Sequence, residues 1–303
     1  VRSVAYSRPV GVFRMPVERS FIQKGFGVVV TGIPVSGSIA VGDQVELTPG
    51  SLTGRIRNIQ CFLRDAPHGA AGQCLALNIP DFGKHPAERG QVLCQPGYLR
   101  AAQLFHAQVQ TVPGIDPPLR HAEALKFHTG TVETPASVYL LEEKNLERNR
   151  AGLVTIVTAH PIAAAVGDRF LLRRPSPAAT IAGGEILAVT DGDRRPRKPE
   201  LLARIGKHPS LTAAGLESPE SRLDARIAYH LVTEQPSGSG VPAIARALLQ
   251  LPDAIESSLA RLIQSGGVIA IPGGWFVAAE AYAEGLERLE TRLAAARERE
   301  GKL

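Results

Sequence analysis

Several residue types are scarce in this chain. Among 303 residues there are one Met, one Trp and three Cys, and aromatics make up 5%. The hydrophobic share is nevertheless 44%, so the core must be built from Val, Ile, Leu and Ala. Cys61, Cys74 and Cys94 form no CxxC pair and have no His nearby at ligand spacing. That argues against a disulfide framework or a zinc site and for reduced thiols in a cytoplasmic protein. No uninterrupted apolar run approaches the ~18 residues of a membrane span. No charged-then-apolar leader follows Val1, and a start without Met reads as a cut piece or a processed chain. A soluble, monomeric protein of two or three domains, with no metal and no membrane partner, is the expectation.

Catalytic motifs are missing as well. There is no GxxxxGK[ST] phosphate loop, no HExxH and no GxSxG. Gly25-Phe26-Gly27 runs into three Val rather than a helix, and the eight His are scattered. Glu142 and Glu143 are adjacent, so on a strand their side chains point apart. The residues describe a binding protein with no catalytic group and no cofactor of its own.

What the chain does have is 30 Gly and 23 Pro, spread along its length, which favours short elements joined by tight turns. Residues 1–100 read as short strands, among them the Val run after Gly27, Gln44-VELT, Gly54-RIRNIQCFL, Cys74-LALNI and Gln91-VLCQ. Turns such as Gly42-Asp43 and Pro49-Gly50 separate them. That spacing predicts a closed or nearly closed antiparallel β-barrel. Residues 101–190 repeat the style, with Gly167-Asp168 mirroring Gly42-Asp43, and predict a second barrel. Residues 191–207 are polar, interrupted by Pro, and carry Arg194, Arg195, Arg197 and Lys198; they read as a basic linker that contacts RNA or keeps the linker soluble. Beyond it the apolar period changes to about 3.6. Three helices around Leu223–Leu231, Ile244–Leu249 and Ile255–Ile263, then a hairpin ending in Trp275-Phe276-Val277, predict a winged helix over 208–278. Trp275 is expected to be the packing anchor of its wing. A last stripe, Tyr282, Leu286, Leu289 and Leu293, reads as the first helix of a further module over 279–303. The fold class expected is therefore mainly β, two antiparallel barrels followed by an α+β winged helix. Residues 1–100 hold 11 basic against 6 acidic residues, while the rest is balanced, as expected of a first region facing an anionic partner.

The run from Met15 to Asp43, Met15-PVERSFIQKGFGVVVTGIPVSGSIAVGD, resembles the opening of the second domain of translational GTPases. Ala71-Gly72-Gln73, Leu77-Asn78 and Arg89-Gly90 extend the likeness, and Gly167-DRFLLRRPSPAATIAGG is similar to the end of their third domain. Arg173, Ser176, Thr180 and Gly183-Gly184, followed by a basic linker and a winged helix, most resemble the bacterial selenocysteine-specific elongation factor. The resemblance implies selenocysteinyl-tRNA and the ribosome as partners, and an mRNA hairpin reached through C-terminal modules outside this sequence. GTP, Mg and GTP hydrolysis would belong to a GTPase domain that is also outside it.

Selenocysteine is an anion at neutral pH, so a pocket that selects it requires a fixed cation, and Arg stays protonated. Elongation factor Tu is acidic at the position of Arg19, within Glu18-Arg19-Ser20-Phe21. The charge inversion points to a selenolate pocket formed by Glu18, Arg19 and Phe21, with Cys74 where the family has a second arginine. Either one arginine suffices, another such as Arg14 or Arg57 substitutes, or the factor is specialised or defective. His128, Arg173 and Arg174 are the tRNA-contact candidates that the resemblance implies in the third domain. Two other readings stay open: a translational GTPase relative with another cargo, and a winged-helix regulator of nucleic acid.

Overall fold

The computed structural model describes residues 10–190, 197–212 and 218–300. The chain divides into two compact units, Val1–Ile205 and Gly206–Leu303. In the first unit, β1 (Arg14–Gln23) is followed by β2 (Gly27–Gly32), β3 (Ser38–Ala40), β4 (Gln44–Thr48), β5 (Leu52–Arg55), β6 (Asn58–Cys61), β7 (Arg64–Ala66), β8 (His68–Ala70), β9 (Leu75–Ile79) and β10 (Val92–Cys94). Eight of them form one antiparallel sheet in the order β5-β4-β10-β1-β2-β9-β6-β7, and β3 pairs with β8. β1 serves two partners. Arg14–Pro16 face β10, Val17–Gln23 face β2, and the register shifts between Val17 and Arg19. A bulge of this kind bends a strand. It lets Val45 and Leu47 of β4 share one core with Ile59 of β6 and Leu77 of β9.

The ladder of this sheet does not close among the described residues: β5 and β7 end it and are not paired with each other. On the β5 side a single turn at Pro80–Phe82 takes the place of a ladder. Phe82 is buried, and the Asp81 carboxylate accepts from the Arg55 N–H at 2.7 Å.

The following strands do close. β11 (Ala101–Thr111), β13 (Glu123–Thr129), β14 (Val132–Leu140), β16 (Ala151–Ala163), β17 (Arg169–Arg174) and β18 (Ala179–Thr190) form a six-stranded barrel, and β12 (Leu119–Arg120) pairs with β15 (Asn145–Leu146). Alternate residues of β14 are buried, the period of a strand with one face on a core. Phe127 stacks between Phe105 and Phe170, with centroids 6.1 and 5.1 Å away. Gly184 is required here: a Cβ would lie 2.6 Å from the Phe170 ring and 2.1 Å from the Gln108 carbonyl oxygen.

The two β regions share a corner. Ala40–Asp43 and Ala165–Asp168 have the same four residues. In each, the Asp carboxylate accepts from the Ala N–H at 2.8 Å. The Gly N–H then donates to Ile56 in the first copy and to Ile186 in the second.

Part of the expected linker is not a linker. Residues 191–196, including Arg194 and Arg195, lie outside the described residues, but α1 (Lys198–Ile205) is a helix. Its Leu201 and Ile205 pack on Leu141 and Ala188 of the barrel. Pro199 is tolerated because it lies in the first turn, where no intrahelical N–H bond is lost.

The second unit contains α2 (Pro209–Thr212), α3 (Pro219–Tyr229), a π-turn at His230–Glu234, β19 (Ser239–Gly240), α4 (Val241–Leu248), α5 (Pro252–Gln264), β20 (Val268–Ile271), β21 (Trp275–Ala278) and α6 (Ala279–Glu300). Three helices then a hairpin is the expected order, with β19 added as a third strand beside β21. Ser218 caps α3 by accepting from the Ser221 N–H. Ile227, Ile244, Leu248, Ile255 and Leu259 are its buried centre. Trp275 is no anchor. Half of it is exposed, while Val277 and Ala278 of the same strand are buried. Tyr282, Leu286, Leu289 and Leu293 of α6 are exposed, so the stripe read in the sequence lies open.

Candidate functional site

The bulge in β1 sets the first group of candidates. Glu18 falls between the pairs Val17–Gly32 and Arg19–Thr31, and Glu18, Arg19 and Phe21 are all exposed while Val17 is buried. Arg19 begins a row across the outer face: Arg19, Thr31, Ala76, Gln60 and Asp65 are successive cross-strand partners. Two strand spacings put Arg19 and Ala76 about 10 Å apart. Cys74 is exposed and lies two residues before Ala76, so it borders the same face. Among the described residues no hydrogen bond or ion pair holds the Arg19 guanidinium, although its backbone oxygen accepts from Thr31 Oγ1 at 3.3 Å. Arg14 cannot substitute for it. Its guanidinium is bidentate on Asp168, at 2.9 and 3.0 Å. Arg57 is exposed.

One neighbour was missed in the sequence. Phe62 and Leu63 form the two-residue tip joining β6 to β7 and are 63% and 91% exposed. Both lie in the left-handed region, with φ of 49° and 65°. Such a turn favours Asn-Gly, and bulky residues there store strain. The Phe62 N–H donates to the Cys74 carbonyl at 3.1 Å, tying this tip to the Cys74 edge of the Arg19 face. The available signal was two apolar residues where a hairpin wants Gly or Asn.

The second group sits on the barrel. His128 faces Glu133 on one side and Leu171 on the other. Its Nδ1 is 3.7 Å from the Glu133 carboxylate, and its buried Nε2 has no hydrogen-bond partner among the described residues. Burial lowers its pKa. Glu133 opposes that shift, while Arg173 and Lys126 add to it. Glu133 itself is held by Lys126 through a hydrogen bond, which lowers its pKa. Arg173 lies opposite Lys126 on the neighbouring strand and is half-buried. Arg174 is committed elsewhere. It donates to Glu123 at 2.7 Å and to the Pro118 carbonyl at 3.0 Å. A hollow of about 780 Å³ beside His128 is lined by Gln108, Gln110, Arg169, Thr180 and Gly183.

Arg197 and Lys198 are exposed at the start of α1. Among the described residues no group of three His, Cys, Asp or Glu side chains could hold a metal ion. Cys94 is buried and its thiol is pushed up to about 12 by burial, which makes it an inert core residue. No helix among the described residues is long and apolar enough to cross a membrane.

Residues 106–192, nearly the whole closed barrel, match the family model described as the β-barrel domain of selenocysteine-specific elongation factor. The chain is similar to selenocysteine-specific elongation factors. It is 31% identical over 183 residues to the one from Desulfomicrobium baculatum, covering 60% of this chain and 29% of the relative. To that of Haemophilus influenzae it is 32% identical over 186 residues, 61% of this chain and 29% of the relative. The Escherichia coli factor is 30% identical over 254 residues, which is 82% of this chain and 39% of that protein. The chain therefore spans between 29% and 39% of the length of these relatives.

Proposed function

We propose that this chain is the tRNA-carrying part of a selenocysteine-specific elongation factor. In that role it binds selenocysteinyl-tRNA for delivery to the ribosome at recoded stop codons. The barrel's match to the family's own barrel model carries the reading. Residues 1–100 act as the second domain of such a factor, 101–190 as the third, and 208–278 as a winged helix, with 279–303 beginning a further module. GTP and Mg, and the hydrolysis of GTP, belong to a GTPase domain of the whole protein, and an mRNA hairpin to its C-terminal modules.

The unpaired Arg19 guanidinium supplies the fixed cation for a selenolate. Phe21 and the Cys74 edge bound the pocket, and Glu18 lies beside it on the bulge. Desolvation by the bound aminoacyl group strengthens that charge–charge contact relative to water. On the barrel, Arg173 is the cation available to a tRNA phosphate. His128, whose charged form burial disfavours, contributes shape rather than charge. Arg174 serves the barrel through Glu123.

A DNA-reading role for the winged helix has little support. The one basic residue of α5, Arg261, is bound to Asp224 at 2.6 Å, and the exposed face of α5 includes Asp253 and Glu256. DNA affinity needs free cations against phosphates. The deciding experiment is a gel shift of the chain with selenocysteine tRNA, an ordinary elongator tRNA and duplex DNA. Preference for selenocysteine tRNA is expected. Equal or tighter binding of duplex DNA would overturn the reading.

A further inference from the structure

The corner shared by the two β regions is used differently in each. In the first, Asp43 is exposed, and its described contact is the Ala40 N–H. The turn thus forms without a cation. In the second, the Asp168 carboxylate holds the Ala165 N–H and also receives both Nη atoms of Arg14 from the first region, at 2.9 and 3.0 Å. Arg14 Nε donates to Ser36 Oγ at 3.3 Å, and Ser36 Oγ donates to the Val12 carbonyl at 2.7 Å. The two side chains are only 13% and 22% exposed. Each partner is thus oriented by its own region before the two meet.

The backbones are also close at this junction. The Gly90 N–H donates to Thr131 Oγ1 at 3.2 Å. A Cβ on Gly90 would lie 3.1 Å from Val132, and one on Gly130 would lie 3.3 Å from Pro16.

We infer that Arg14 and Asp168 are a latch that fixes the first β region against the barrel, and that through it they are positioning residues for the RNA-binding face. The second half rests on the function proposed above. Arg19 and Arg173 lie on different regions, and a selenocysteinyl-tRNA that engages Arg19 through its selenolate and Arg173 through a phosphate needs a fixed separation between them. Without the latch, binding itself must order the two regions, and affinity falls by that entropy. Removing one partner also strands the other charge in a poorly hydrated junction.

Asp168→Asn and Arg14→Gln in the full chain test this. The amide oxygen of Asn can still accept from Ala165, so the turn is kept while the ion pair goes. Hydrogen exchange of the Gly90 amide is expected to rise at least tenfold in either variant, and no further in the double variant. The core amides of Val30 and Phe127 are expected to exchange as in the unaltered chain, which shows that both regions remain folded. Affinity for selenocysteinyl-tRNA is expected to fall about tenfold with the salt slope unchanged, because no phosphate contact is removed. Unchanged exchange at Gly90, or additive effects in the double variant, would overturn the latch. Faster exchange with unchanged tRNA affinity would overturn the positioning half alone. If the unaltered chain binds no tRNA, the functional reading fails, and exchange still decides the latch.

Discussion

In the barrel, two outer-face cations next to the proposed RNA side are already paired, Lys126 with Glu133 and Arg174 with Glu123. In the first β region, Arg19 is unpaired, and Phe62 and Leu63 stand out on a strained two-residue tip. The same corner turn closes both regions, so local turn chemistry does not explain the contrast. What differs is the use of the outer face. The barrel pairs Lys126 and Arg174 internally and keeps Arg173 for the RNA backbone. The first region, among the described residues, leaves Arg19 and apolar surface free together, the arrangement expected where a ligand supplies the missing partner.

The largest expected effect lies in the barrel core. Phe127→Ala should cost about 3–5 kcal/mol, because it removes the ring stacked between Phe105 and Phe170 in a fully buried site. Urea unfolding of the barrel region measures it, and a cost below that of an exposed substitution would break the assignment of this region as the stable partner.

A pH titration sharpens the comparison next. His106 is buried between Thr155 and Thr190, with Nδ1 and Nε2 at 3.0 and 3.1 Å from their hydroxyls. Burial, then the nearby Arg204 of α1, lower its pKa from 6.5 to about 4. The folded state therefore disfavours the charged ring. Its contribution is complete above about pH 6.5 and is lost as pH falls towards 4, by about 1–3 kcal/mol. The unfolding free energy of His106→Gln should have a shallower slope over that window.

A smaller effect of opposite sign is expected at the strained tip. Replacing Phe62 with Asn and Leu63 with Gly together should raise stability by about 1 kcal/mol, since Asn-Gly fits the turn that both residues now occupy at a cost. The same change should weaken tRNA binding. A loss of stability would show that the tip is packed rather than poised. Smaller still, Leu286→Glu on the open face of α6 should shift stability by less than about 0.5 kcal/mol.

Much of this organisation was legible because it is periodic. Alternation in β14 and the 3.6-residue spacing of Ile227, Ile244, Ile255 and their neighbours mark one buried face each, and Gly-Asp corners mark turns. The parts that were missed depend on distant or competing interactions. The partner of Arg14 is 154 residues away, so nothing near Arg14 distinguishes a latch from a pocket arginine. The first sheet is completed near β5 by Phe82 and Asp81 rather than by a ladder, which strand spacing does not encode. α1 was hidden by Pro196 and Pro199, whose disruption of helix depends on position, and Pro199 falls where it does no harm. Of the candidate site, Arg19 and Phe21 were singled out by the family resemblance. β1 does not alternate, burying Met15–Val17 and exposing most residues past the bulge, and Phe62 and Leu63 broke the turn rule used to find hairpins.

The central claim is that Arg19 reads the charge of the amino acid rather than the tRNA backbone. It is tested most directly by titrating the full-length factor and its Arg19→Ala variant with selenocysteinyl-tRNA and seryl-tRNA on the same tRNA body, at two salt concentrations. A charged hydrogen bond in a partly desolvated pocket contributes about 1.5–3 kcal/mol, so selenocysteinyl-tRNA should bind about ten- to a hundredfold more weakly. Seryl-tRNA should be nearly unaffected and the salt slope unchanged. Equal weakening of both tRNAs, with the slope reduced by about one unit, would contradict the account and make Arg19 a phosphate contact.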